Sequence, residues 1–305
     1  MIGSKIDFDG LRFRMATQDL PEEDFKTLAA GETVEATFDV AEAHDLSGGG
    51  AFDIVSKGAI SYAEEGSVDI AGAIPFASNA ITAKIDGVQA DDVRKSFHSK
   101  AKRQILQADC TGAKLNVTST ALVNCATLAL KAQEAAASGP AAKVEEYFRS
   151  SNNETRTTVA TVFKKIVTEC GQTTAGVSRQ YCTDVYQSCS RGVLAYTMPS
   201  RSFMVNCALY FNALPALAPL CHAQDQATTT LHETTHLTQV KGTQDYGVYG
   251  YKGLKQLSVK QVLNHADAYA LFANGMCFLL WCLEVCYSNQ DASYLHEVLN
   301  LHSVF

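Results

Sequence analysis

The chain has 305 residues, of which 47% are hydrophobic and 19% charged, with a formal net charge of −7 and a mean hydropathy of −0.04. That is an ordinary globular composition with length enough for two domains. It holds no run of the ~20 apolar residues a membrane span needs, no Walker loop and no G-x-G-x-x-G after a strand, so neither a membrane nor a nucleotide or nucleic-acid role is indicated.

Residues 1–103 read as strands. Val34–Val40 alternates apolar and polar side chains, as do parts of 52–55, 59–63 and 80–85. Ser47-Gly48-Gly49-Gly50 and Glu65-Gly66-Ser67 are turn material between them. The expectation is a small antiparallel β domain. No hydrophobic leader precedes it, so no signal peptide is written at Met1–Lys5.

Three properties change together near residue 103. Residues 1–103 carry 18 acidic and 11 basic side chains, net −7, against 14 of each in 104–305. All ten cysteines, from Cys110 to Cys286, lie in the second part. The run Ser99–Arg103 ends in the dibasic pair Lys102-Arg103, which reads as a cut site for a kexin-type processing protease. Ten cysteines without a zinc-ribbon pair imply a disulfide framework built in an oxidising, secretory compartment, and the sequons at Asn116 and Asn153 agree.

From residue 104 the pattern turns helical. Helices are expected over 118–136, stopping at Gly139-Pro140, over 141–149, and over 154–170, where Val159, Val162, Phe163, Ile166 and Val167 share a face. A β hairpin is expected from 192–198 and 203–211 around Pro199, and a last helix over 258–278. An edge strand there suits pairing with a substrate backbone. The tail, 277–305, crowds three cysteines within ten residues and is given no function.

The chemistry is concentrated in His232-Glu233-Thr234-Thr235-His236. On a helix, positions i and i+4 share a face, so both imidazoles can bind one Zn²⁺, with Glu233 beside them as a general base. A third ligand is needed. A metzincin would place histidine soon after His236, and a thermolysin-like site needs a glutamate, which is missing between Glu233 and Glu284. Asp245 and Asp267 remain, with His265 as an outside candidate. Asp245 lies in a loop between Gly242 and Gly247 and suits the metal; Asp267, in a helix, suits orientation of a ligating imidazole.

H-E-x-x-H followed by G-T-x-D, a Tyr-Gly pair and N-x-A-D-x-Y resembles the aspzincins, the deuterolysin-type fungal neutral metalloproteases, and the likeness extends over the whole chain. The resemblance implies an α+β fold: an N-terminal β pro-segment, then a mainly helical zincin-like domain with a short hairpin. It also implies Asp245 as third zinc ligand, Tyr249 as stabiliser of the tetrahedral intermediate, Tyr210 as a second important tyrosine, and disulfides Cys110–Cys182 and Cys189–Cys207. The family pattern sets its tyrosine three residues after the aspartate, where this chain has Val248; Tyr249 is one further on, and Tyr246 and Tyr251 stay open. The implied protein is a secreted, monomeric zinc endopeptidase made as a zymogen, acting on protein or peptide substrates, basic proteins among them. The alternative is a secreted zinc-binding module without peptidase chemistry.

Overall fold

The computed structural model describes residues 5–98, 106–171 and 177–277. The dibasic pair Lys102-Arg103 and the tail beyond Cys277 lie outside them. The described chain is a mixed α/β structure with nine α-helices and three small sheets.

In chain order the elements are β1 (Arg12–Met15), β2 (Gly50–Ile54), β3 (Lys57–Tyr62), β4 (Gly72–Ala77), β5 (Ile81–Ile85) and α1 (Gly87–His98). Then come α2 (Gly112–Ser138), α3 (Ala141–Phe148), α4 (Asn153–Cys170), β6 (Arg179–Tyr181), β7 (Val193–Met198) and β8 (Phe203–Asn206). The chain continues through α5 (Ala208–Ala213), α6 (Gln226–His236), α7 (Gly250–Leu254), α8 (Val259–Val262) and α9 (Ala266–Cys277).

The helical core is built by α2, α4, α6 and α9. The Ala/Leu-rich face of α2 buries Ala121, Leu122, Cys125, Leu128 and Ala129 against α4, whose Val159, Val162, Phe163 and Ile166 point back. Phe148, Phe163, Tyr269 and Phe272 pack at the centre in edge-to-face and tilted pairs, with ring centroids 5.2–5.8 Å apart, within the favoured aromatic range. Disulfide Cys125–Cys170 ties α2 to α4. Cys110–Cys182 and Cys189–Cys207 pair as the resemblance implied.

The side of α6 is floored by a four-stranded sheet in the order β1-β7-β8-β6, in which β7 and β8 form the expected hairpin and β6 joins in parallel. Its outer strand comes from the far end of the sequence. β1 pairs antiparallel with β7, Arg12 opposite Thr197 and Arg14 opposite Ala195. The rest of the N-terminal part forms two separate two-stranded ribbons, β2-β5 and β3-β4, with α1.

Several expectations are corrected. Residues 34–39 form no strand: Phe38 is 71% exposed, and an alternating stretch without a partner strand has nothing to ladder against. The strand expected to reach 211 ends at Asn206, and α5 follows Cys207. The last helix is broken into α8 and α9, because the backbone at Asn264–Ala266 bridges to Gln244: Gln244 N donates to Asn264 O at 2.9 Å and Ala266 N to Gln244 O at 3.4 Å. That break is what brings the Asp245 loop beside α6.

Candidate metal centre

The helix α6 is polar in sequence yet buried along its whole length. Asp225 caps it, accepting from Thr228 N at 2.6 Å, while Thr228 Oγ1 donates back to the Asp225 side chain. The threonines then satisfy themselves on the helix's own carbonyls: Thr230 on Gln226, Thr234 on Thr230 and Thr235 on His232, at 2.7–2.8 Å. A run of threonines thereby enters the core with most of its hydroxyls paired, Thr229 Oγ1 alone among them lacking a partner among the described residues, and it carries His232, Glu233 and His236 there.

His232, His236 and Asp245 each offer one ligand atom, and the three atoms lie within 4.8 Å of one another. The two Nε2 atoms are 3.1 Å apart, and Asp245 Oδ1 and Oδ2 stand 3.3 and 3.4 Å from His232 and His236 Nε2. The outer nitrogens are fixed. His236 Nδ1 donates to the Thr243 carbonyl at 3.0 Å, and His232 Nδ1 to Asp267 Oδ1 at 2.9 Å. Both inner lone pairs therefore face the same point. Burial holds both rings neutral, with His236 pushed down to about 3 and His232 well below the usual imidazole range. Two neutral imidazoles and a carboxylate facing one point fit a tetrahedral Zn²⁺ with one position left for a fourth ligand.

Asp267 ties two parts of the site together. Its Oδ1 accepts a hydrogen bond from His232 Nδ1 and its Oδ2 accepts from Gly250 N at 2.6 Å, at the end of the loop that carries Tyr249. His265, the outside candidate for ligation, serves the loop instead: its Nε2 faces the Asp245 and Val248 carbonyls at 2.9 and 3.0 Å. Gly247 sits at φ +70°, and a Cβ there would meet the Ala59 carbonyl at 2.4 Å, so the loop packs against β3 only with glycine at this position.

Glu233 is 1% exposed, and burial pushes its pKa well above the carboxylate range. Thr197, on β7, donates to its Oε2 at 2.6 Å; Oε1 has no hydrogen-bond partner among the described residues. Tyr249 donates to the main-chain carbonyl of Phe13 at 3.0 Å. Tyr246 points elsewhere, accepting from Asn264 Nδ2 at 3.3 Å, and Tyr251 donates to Glu146 at 2.6 Å. Tyr210 is fully buried, its hydroxyl at 3.0 Å from Thr230 Oγ1 and 3.3 Å from the Gln226 carbonyl, so it grips the first half of α6.

Sequence reasoning missed Thr197, Arg12 and Arg14. Arg14 is 2% exposed; its guanidinium pairs with Asp267, and Nη1 lies 3.0 Å from His232 Nδ1. The only local signal was the alternation Arg12-Phe13-Arg14-Met15. A cleft of about 520 Å³ remains open between Arg12, the Asp245 loop and the β3-β4 ribbon.

A buried helix bearing two convergent imidazoles and a glutamate, with a carboxylate supplied by the following loop, is the donor set of a metallopeptidase. The sequence profile of the deuterolysin metalloprotease (M35) family matches residues 2–285, and the chain belongs to that family; it is a zinc metalloendopeptidase. A neutral protease 2 homolog of Colletotrichum graminicola is 57% identical over 274 residues, covering 90% of this chain and 78% of the relative. A homolog from Phaeosphaeria nodorum is 54% identical, covering 89% and 76%. Neutral protease 2 of Aspergillus oryzae is 43% identical, covering 89% and 77%. A zinc peptidase from Grifola frondosa is a distant likeness in structure, with TM-score 0.46, 18% identity, 54% of this chain covered and 97% of that chain. No helix among the described residues is long and apolar enough to cross a membrane.

Proposed function

We propose that the chain is a secreted zymogen whose site hydrolyses peptide bonds with one Zn²⁺ held by His232, His236 and Asp245. The observation that carries this is the convergence of those three ligand atoms, with both outer imidazole nitrogens already engaged. A bound Zn²⁺ supplies Lewis acidity for the scissile carbonyl and makes water acidic enough to act near neutral pH. Glu233, buried and proton-hungry, accepts the proton of the attacking water and passes it to the leaving amine. Thr197 holds the carboxylate in place through Oε2. Tyr249 donates a hydrogen bond to the oxyanion of the tetrahedral intermediate, as it now does to a peptide carbonyl. Asp267 keeps His232 in its tautomer. Tyr210 reaches substrate only by giving up Thr230 and Gln226, and where it stands it braces α6.

Residues 1–103 act as the pro-segment, released by a kexin-type cut after Lys102-Arg103. Secretion is supported by three disulfides and by a further disulfide-bonded cysteine, Cys221, all of which require an oxidising compartment. Substrates are peptide or protein chains, basic proteins among them, and the working unit is the monomer.

The test is digestion of casein and protamine by the chain nicked after Arg103, with metal content measured on the same sample. Cleavage that is lost on chelation and restored by Zn²⁺ is the expected result. One zinc per chain without any cleavage overturns the peptidase in favour of a zinc-binding module.

A further inference from the structure

The strand β1 holds a position that the reading above leaves unexplained. It is the outer strand of the catalytic sheet, laid antiparallel on β7, whose Thr197 fixes Glu233. An extended segment added to the open edge beside the catalytic helix is how an edge strand binds a peptide: main-chain pairing fixes the register and alternate side chains enter pockets. In β1 the alternation sends Phe13 to the outer face of the sheet, where its ring lies 6.0 Å from that of Tyr196, and turns Arg12 and Arg14 to the side of α6.

The peptide group after Phe13 then meets Tyr249, which donates to the Phe13 carbonyl at 3.0 Å. The next side chain, Arg14, passes fully into the protein. Its guanidinium pairs with Asp267, reaches within 3.0 Å of His232, and lies in the field of Glu233 and Asp245. A lone buried guanidinium is costly, and this one is tolerated because the site around it is anionic. Burial lowers its pKa only to about 10, so at neutral pH it is a cation. Arg12, opposite Thr197, lines the remaining cleft together with Asp245 and lies in its field.

We infer that Arg12–Met15 is an internal inhibitory strand seated where a substrate strand binds, with the Phe13–Arg14 peptide group at the reaction centre and Arg14 as the plug that holds it there. The inference rests on the peptidase reading for the meaning of the site, and it adds which four residues of the long N-terminal part do the blocking. The ribbon β3-β4 walls the cleft; β1 fills the substrate line.

The test uses the full, uncut chain loaded with Zn²⁺. The rate of zinc transfer to an excess of chromophoric chelator and the hydrolysis of a short fluorogenic peptide are both measured for wild type, Arg14→Ala, Arg14→Met and, as a control on the cleft wall, Lys57→Ala. Wild type is expected to surrender zinc at least ten-fold more slowly than either Arg14 variant. Peptide turnover by the uncut Arg14 variants should rise at least ten-fold, toward that of nicked wild type, while Lys57→Ala follows wild type. Equal zinc-transfer rates in wild type and both variants, or uncut wild type as active as the nicked chain, overturns the inference and leaves the peptidase standing. Arg14-dependent zinc protection in a chain that never hydrolyses peptide, even when nicked, does the reverse.

Should neither Arg14 variant fold, amide exchange on wild type decides. Protection of residues 193–198 that falls when residues 1–103 are released supports the inhibitory strand, and protection unchanged by release overturns it.

Discussion

Thr197 and Glu233 are joined by a 2.6 Å hydrogen bond that crosses from β7 to α6, and it engages one oxygen of the carboxylate while leaving the other unpartnered among the described residues. A general base needs such asymmetry: one oxygen held for aim, the other free for the proton. Glu233→Gln keeps the shape and the Thr197 contact but abolishes the base. Turnover should fall by about 10²- to 10⁴-fold in kcat with zinc content unchanged, read by steady-state kinetics and metal analysis on the nicked protein. Full activity in a clean preparation of this variant would remove Glu233 from the mechanism.

Tyr249 gives a different signature. Its hydroxyl acts on the carbonyl oxygen, so Tyr249→Phe should lower kcat by roughly 10²-fold and shift KM little, the mark of an interaction strongest in the transition state. Tyr246→Phe and Tyr251→Phe, whose hydroxyls serve Asn264 and Glu146, should stay within a few-fold of wild type. A larger loss for either of them than for Tyr249→Phe would move the assignment along the loop.

Asp267 is the residue through which the metal ligand and the Tyr249 loop are coupled, by His232 Nδ1 and by Gly250 N. Asp267→Asn keeps an acceptor but loses the charge that stabilises the orientation of His232. Zinc affinity should drop by about 10- to 100-fold, measured by competition with a chelator of known strength. Asp245→Ala, which removes a ligand, should lower it further. An Asp267→Asn protein with wild-type affinity would limit Asp267 to bracing the loop.

What was legible in the sequence was what local spacing carries. His232 and His236 share a face by helical period alone, and Asp245 falls between two glycines that let its loop turn back. The amphipathic helices α3 and α4 and the hairpin core likewise follow from periodicity. Contacts that depend on distant pairing were not legible. Arg14 meets His232 across 218 residues, and no property of a four-residue strand says that its partner is β7 rather than its own neighbours. Thr197 looked like any inward β residue. Asn264–Ala266 looked helical because its side chains fit a helix; the backbone bridge to Gln244 decided otherwise.

The disulfide Cys125–Cys170 lies in the core and closes a loop across a sequence separation of 45. Loop-closure entropy gives about 4 kcal/mol as an upper figure for a ring of that size. The double variant Cys125→Ala/Cys170→Ala should lose about 2 to 4 kcal/mol in denaturant unfolding. Because Cys170 Sγ also lies 3.6 Å from Thr234 Oγ1 on α6, zinc affinity is expected to weaken as well. Unchanged stability would show that the helices α2 and α4 hold without the bridge.

His222 sets an acid limit on stability away from the metal. Its ring stacks on Tyr251 at 3.8 Å, and its Nε2 is hydrogen-bonded with the Tyr147 hydroxyl at 2.7 Å. Burial lowers its pKa from the ordinary 6.5 to about 4, with Lys143 and Lys255 adding to the shift and Glu146 opposing it. Between those two values the unfolded chain takes up a proton that the folded chain refuses. Stability from this group is therefore whole above pH 6.5, falls as pH is lowered, and is gone by about pH 4. With allowance for partial exposure the loss is about 2 kcal/mol. Unfolding free energies of wild type and His222→Gln, taken from pH 7.5 to 4, should converge as the pH falls. Parallel curves would mean that His222 titrates alike in both states.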